Sequence, residues 1–135
     1  MIPDLQDNGY LPPGIHPATL DEIEARFGWQ SEIRQAQMES LRWLAELLRQ
    51  TGALRIIING SFTTDCVDPN DVDCVLLVGS DFPKDQRAGD DIEIGLPFLQ
   101  IDVVHELDFQ FMVETFFAAD RHFSSKGMIE VISWS

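Results

Sequence analysis

The sequence predicts an α/β (α+β) domain: a small mixed sheet of three or four strands with helices packed against it. Three observations carry that expectation. Apolar runs of strand length at 54–59, 71–79 and 98–105 are set apart by turn residues and polar connections. Stretches with helical apolar spacing, about 31–50 and 108–123, carry helix-end signals. The length of 135 residues suits one domain, 1–135, whose core buries roughly two thirds of the unfolded chain's surface.

Taken in order, residues 1–18 hold Pro3, Pro12, Pro13, Gly14 and Pro17 and read as an irregular arm wrapped on the fold. Thr19 and Glu22 form a capping box, Ile23 and Phe27 share a face, and Gly28 ends that short helix. Ser31 opens a longer helix that runs to about Gln50, with Gly52 as its C-terminal cap. Ile33, Leu41, Leu44, Leu47 and Leu48 make its core-facing stripe. Arg34, Arg42 and Arg49 fall on an adjoining face, and Glu39 and Glu46 lie within reach of Arg42, so a solvated, salt-bridged face is expected. The strands at 54–59 and 71–79 are near-continuous apolar runs, as interior strands are. Between Gly79 and Pro97 the spacing predicts a helical turn near 83–88 and a short extended piece near 92–94. After the strand at 98–105, Asp108 reads as the N-cap of a helix carrying Phe109, Met112, Val113, Phe116 and Phe117. Met128 to Ile132 alternates weakly and reads as a last strand.

Composition restricts function. The formal charge is −14, with Lys84 and Lys126 the only lysines against 23 acids. Such a field repels polyphosphate backbones and argues against a free-standing enzyme on free nucleic acid, while a basic protein partner is expected. No apolar run reaches the ~20 residues of a membrane helix, and Met1-Ile2-Pro3-Asp4 lacks the form of a signal peptide. Cys66 and Cys74 read as buried free thiols of a reducing cytoplasm rather than a disulfide or zinc site.

The chemistry concentrates in one stretch. Gly60-Ser61 leaves the strand at 54–59, and after nine intervening residues Asp71-Val72-Asp73 opens the next. Alternation along a strand puts Asp71 and Asp73 on one face. Asp73 already lies within the apolar run, where an uncompensated carboxylate is costly, and Asp102 between Ile101 and Val103 repeats that anomaly. A divalent cation compensates such acids, and Mg²⁺ favours one or two carboxylates plus phosphate oxygens. Gly60 allows close backbone approach, and the amides after it suit a phosphate. Gly79-Ser80 with Asp91-Ile92-Glu93 mimics the pattern, but Gly95 and Pro97 interrupt the run that would carry those acids. His16, His105 and His122 lack metal-ligand spacing.

Gly60-Ser61, the spacer and Asp71-x-Asp73 resemble the signature of the DNA polymerase beta-type nucleotidyltransferase superfamily. Leu11-Pro12-Pro13-Gly14-Ile15-His16, Asn59-Gly60-Ser61-Phe62-Thr63-Thr64 and Pro69-Asn70-Asp71-Val72-Asp73 together resemble its minimal single-domain bacterial members. The resemblance implies a minimal nucleotidyltransferase fold and transfer of a nucleoside monophosphate from an NTP, ATP among the candidates, to a hydroxyl, a protein acceptor included. It implies Asp71, Asp73 and Asp102 as catalytic residues and ligands of Mg²⁺ or Mn²⁺, with Asp102 also taking the hydroxyl proton. Gly60 and Ser61 are then the nucleotide-binding residues, with Thr63 and Thr64 as further donors or as helix caps. Some minimal members act in toxin–antitoxin pairs. With no separate domain for base or acceptor recognition within 1–135, a partner protein or a homodimer is expected to complete the site. The alternative is a non-catalytic, antitoxin-like binder that keeps the fold and neutralises a basic partner.

Overall fold

Five strands form one sheet in the computed structural model of the chain, which describes residues 2–106, 108 and 127–132. They are β1 (Gly14–Thr19), β2 (Arg55–Asn59), β3 (Val72–Val78), β4 (Leu99–His105) and β5 (Gly127–Ile132), in the spatial order β1-β5-β2-β3-β4. The sheet is mixed. β1 runs parallel to β5 and β3 parallel to β4, while β2 is antiparallel to both of its neighbours. The architecture is the expected small α/β one, with one strand more than the sequence led us to expect.

That extra strand corrects the reading of residues 1–18 as irregular. From Gly14 onward the arm is β1. Its proline, Pro17, is tolerated because β1 lies at the sheet edge, where a missing N–H costs no interior ladder bond. The segment before it is strapped down. Leu11 is buried, its carbonyl accepts the Gly127 N–H, and His16 Nε2 lies 2.7 Å from the Pro12 carbonyl oxygen. Gly127 is required there, since a Cβ would lie 2.1 Å from that same oxygen. Further upstream, Arg26 donates to the carbonyls of Ile2 and Pro3.

Helix α1 (Leu20–Phe27) starts on the expected capping box. The Thr19 hydroxyl accepts from the Glu22 amide, and Glu22 Oε1 accepts from the Thr19 amide. Its bond to the Thr19 backbone holds the Glu22 carboxyl below its ordinary range. A depressed carboxyl contributes its stabilisation above the unfolded-state value and loses it as pH falls through the folded-state value. Thr19→Ala is expected to cost about 1 kcal/mol, read from urea midpoints at neutral pH.

Helix α2 (Glu32–Thr51) begins at Ser31, whose hydroxyl accepts from the Arg34 amide, and ends at Gly52 in the left-handed conformation. Its stripe of Met38, Leu41, Leu44, Ala45, Leu47 and Leu48 packs on Ile56, Ile58, Cys74, Leu76 and Ile129 of the sheet. Helix α3 (Gln86–Ile94) covers the same face, and Asp85 caps it through the Ala88 amide. This corrects the extended piece expected at 92–94. Ile92-Glu93-Ile94 alternates like a strand, yet Ile92 alone is buried while Ile94 is exposed, as helical geometry requires. Glu106 and Asp108 are both helical, so the helix expected from Asp108 starts before that residue. The rest of that expected helix, to about 123, lies outside the described residues.

Alternation divides the strands between two faces. Val72, Cys74, Leu76 and Val78 point into the main core under the helices, while Val75 and Leu77 join Ile57, Val104 and Met128 on the other face. Among the described residues, no helix is long and apolar enough to cross a membrane.

Candidate functional site

The Gly60-Ser61 turn sits where β2 ends, and Asp73 sits beside it because β2 and β3 are antiparallel neighbours with Asn59 opposite Asp73. Gly60 has φ +84° and ψ −162°, a conformation nearly confined to glycine. The space is also closed: a Cβ at Gly60 would lie 2.0 Å from Asp73 Oδ2 and 2.9 Å from Asp73 Cγ. The carboxylate therefore rests directly on the glycine backbone. Gly60→Ala is expected to cost about 3 kcal/mol, combining a forbidden φ with displacement of that carboxylate. The same substitution in an Asp73→Ala background should cost clearly less, and a double-mutant cycle of denaturation midpoints measures the difference.

From Ser61 the chain makes one 3₁₀ turn, Ser61–Thr63, anchored by the buried Phe62 ring, whose centroid is 6.1 Å from that of Phe27. Thr63 Oγ1 donates to the Gly60 carbonyl and Thr64 Oγ1 to the Ser61 carbonyl. Both threonine hydroxyls thus serve the turn itself by donating to its carbonyls, and neither is the N-terminal cap of the 3₁₀ turn, whose N-cap is Gly60. Ser61 is half-buried, and its hydroxyl takes no hydrogen bond among the described residues.

Arg34 holds this turn in place, and it corrects the expectation of a solvated arginine face. It is 3% exposed. Its guanidinium donates to the carbonyls of Phe27 at 3.0 Å, Phe62 at 2.8 Å, Thr64 at 2.9 Å and Cys66 at 3.2 Å. The cation also lies over the Phe62 ring, 5.4 Å from its centroid. Burial lowers the Arg34 pKa, opposed only in part by the neighbouring Cys66, Asp68 and Asp65. Arg42 and Arg49 do form salt bridges at the surface, Arg42 with Asp21 and Glu24 and Arg49 with Glu46. Nothing in helical periodicity separates Arg34 from those two. What buries it is the return of 62–66 across the start of α2.

The sequence-derived acids come together unequally. Asp102 is paired with Val75 in the parallel β3–β4 ladder, so it shares a face with Val75 and with Asp73. Asp73 is opposite Gln100, which puts the two acids on a diagonal of roughly 8 Å between Cα atoms, from strand spacing and rise. Both are half-buried, and both bear on Cys74: burial raises its thiol pKa well above the usual range, and Asp73 and then Asp102 push it further. Asp71 lies just before β3, exposed, in the link whose next amide, Val72 N–H, donates to the Phe98 carbonyl. No group of three His, Cys, Asp or Glu among the described residues is arranged to hold a metal ion. The donor set, the Asp73 and Asp102 carboxylates on one face with Asp73 against the Gly60 backbone, is of the kind a Mg²⁺ ion takes when it binds one or two carboxylates and completes its shell with water and phosphate oxygen.

The second motif, Asp91-Ile92-Glu93, lies within α3, so its acids diverge around a helix and leave no counterpart of this site. Cys66 is exposed, against the expectation that both thiols are buried, because it belongs to the loop and not to β3; Cys74 is buried as expected, and both are free. Asn59 and Gln100 went unnoticed as neighbours of Asp73. Only strand register reveals them, and register is not written in local pattern.

The model of a family of unknown function (DUF6932) matches residues 3–132. The chain belongs to that family. No curated protein and no solved structure matches it. Membership in DUF6932 assigns no activity, so the reading of the site rests on its geometry and on its sequence pattern.

Proposed function

We propose that the chain is a Mg²⁺-dependent nucleotidyltransferase that moves a nucleoside monophosphate from an NTP to a hydroxyl acceptor. The observation that carries this reading is the contact between the Gly60-Ser61 turn and the Asp73 carboxylate, so close that a side chain at Gly60 has no room. A glycine turn for phosphate and an acid for its counter-ion lie side by side, and Asp102 shares the face. When bound, Mg²⁺ or Mn²⁺ supplies charge neutralisation at the phosphate oxygens, and Asp71, Asp73 and Asp102 are the residues that would hold it. The Gly60 backbone and the Ser61 hydroxyl hold the departing phosphates. Asp102 accepts the acceptor hydroxyl's proton as the new oxygen–phosphorus bond forms at the α-phosphorus and the bond to the β-phosphate bridge breaks, releasing pyrophosphate. The chain's own contribution is positioning, since the Arg34 donors are already spent on carbonyls.

Transfer of label from α-labelled but not γ-labelled NTP, with Mg²⁺ and host lysate as acceptor source, is the expected result. Transfer from γ-labelled NTP would replace this activity with a phosphotransferase. Asp102→Asn removes one repelling charge while conserving shape. It should leave the metal-free fold unchanged or stabilised by roughly 1 kcal/mol, and lower transfer by roughly 10²-fold or more. Melts in EDTA beside the labelling assay read both effects.

A second reading, a non-catalytic acidic binder, draws support from two observations. Asp71 stands outside β3, and no three-acid metal group exists among the described residues. In that case the chain binds a basic partner and transfers nothing from either label.

A further inference from the structure

Sheet edges need protection, because an open strand pairs with any extended chain that reaches it. β1 is protected by Pro17 in mid-strand. At the opposite end of the sheet, β4 carries no proline, lysine or arginine from Leu99 to His105. Its Val103, in mid-strand, is 46% exposed. Ile101 and Val103 point to the helix-covered face and line a groove of about 390 Å³ together with Phe82, Pro83, Asp90 and Glu93. The groove's apolar residues Ile101 and Val103 thus belong to a strand edge that no described strand covers.

Charge selects the occupant. The chain carries −14, and its described cations are largely engaged within it: Arg26 and Arg34 on carbonyls, Arg42, Arg49, Arg55 and Lys84 on acids. A second copy would bring the same groove acids and the same net charge to the edge. A basic chain brings the complement.

We propose that the β4 edge docks an extended segment of a basic partner protein, alternately apolar and basic, as an added strand. Main-chain hydrogen bonds to β4 give the segment its register, and its apolar side chains enter the groove beside Ile101 and Val103. Its basic side chains, on the other face, meet Asp102, while the groove's acids Asp90 and Glu93 draw the partner in. This docking does not require that the chain transfers nucleotides, although it shares Asp102 with the proposed site.

The test uses the full chain and two fluorescent octapeptides of equal composition, one alternating valine and lysine, the other with four valines followed by four lysines. Fluorescence anisotropy at physiological salt should show the alternating peptide binding at least roughly tenfold more tightly. Val103→Arg should remove that preference without lowering the melting temperature, because the side chain is half in solvent. Ile94→Arg makes the same charge change at an exposed α3 position outside the groove and should leave the preference intact. Equal binding of the two peptides would reduce the effect to general attraction and overturn the proposal. So would an unchanged preference in Val103→Arg, or a homodimer in sedimentation that Val103→Arg dissolves, which would give the edge to a second copy.

Discussion

Asp73→Asn is expected to abolish the stabilisation that an NTP with Mg²⁺ gives the wild-type chain. A ligand bound only by the folded state at a hundred times its Kd adds roughly 2.7 kcal/mol to unfolding, and the wild type should show a melting shift of that order. Asparagine keeps the size of the group resting on Gly60 but loses the charge that opposes the cation. Binding should therefore fail without collapse of the turn, and label transfer should drop by at least about 10²-fold. Thermal melts with and without NTP and Mg²⁺, run on both proteins, read the first effect; the labelling assay reads the second. An undiminished shift in the variant would move the nucleotide to another part of the molecule.

The largest loss of stability should follow Arg34→Met. Methionine keeps much of the apolar stem, but it leaves the carbonyls of Phe27, Phe62, Thr64 and Cys66 without their common donor. Hydrogen bonds to a charged group contribute about 1.5–3 kcal/mol each, and carbonyls that reach water recover part of that, so a net cost of about 3–5 kcal/mol is expected. Arg34→Lys should recover only part of it, since an ammonium is a point donor and cannot span carbonyls on several sides. Three of those carbonyls, of Phe62, Thr64 and Cys66, belong to the loop that carries Ser61. Where Arg34→Lys still folds, its NTP affinity should fall further than its stability, a split that urea titrations and ligand-dependent melts resolve.

Much of this fold was legible because burial and secondary structure agree locally. β2, β3 and β4 are apolar runs, and each lies within a residue of its expected span. The caps at Thr19, Gly28, Ser31 and Gly52 follow from side chains that satisfy the ends of helices. β1 was hidden because its neighbour, β5, lies far along the chain and its own residues, Gly14 to Thr19, include the signals of a loop. α3 was hidden by Gly89, which reads as a breaker. In the fold it is the residue that lets the helix lie on Pro83, whose Cγ would be 2.5 Å from a Cβ there. For the candidate site, the apolar neighbours of Asp73 and Asp102 marked both as anomalous, while the shared face expected for Asp71 and Asp73 assumed a strand that in the fold begins only at Val72. The face that Asp73 shares with Asp102 depended on the β3–β4 register, and the role of Arg34 on a loop that folds back from a distance; neither is a local property.

The central claim is that a nucleotide's phosphates lie on the Gly60-Ser61 turn against Asp73. Amide chemical-shift mapping of the ¹⁵N-labelled chain, titrated with a non-hydrolysable NTP analogue and Mg²⁺, tests it most directly because it needs no acceptor. The account predicts saturable shifts centred on Gly60, Ser61 and Phe62 and on Asp73, absent when Mg²⁺ is replaced by EDTA. Saturable shifts elsewhere with these amides unmoved, or no shifts at millimolar analogue, would contradict it.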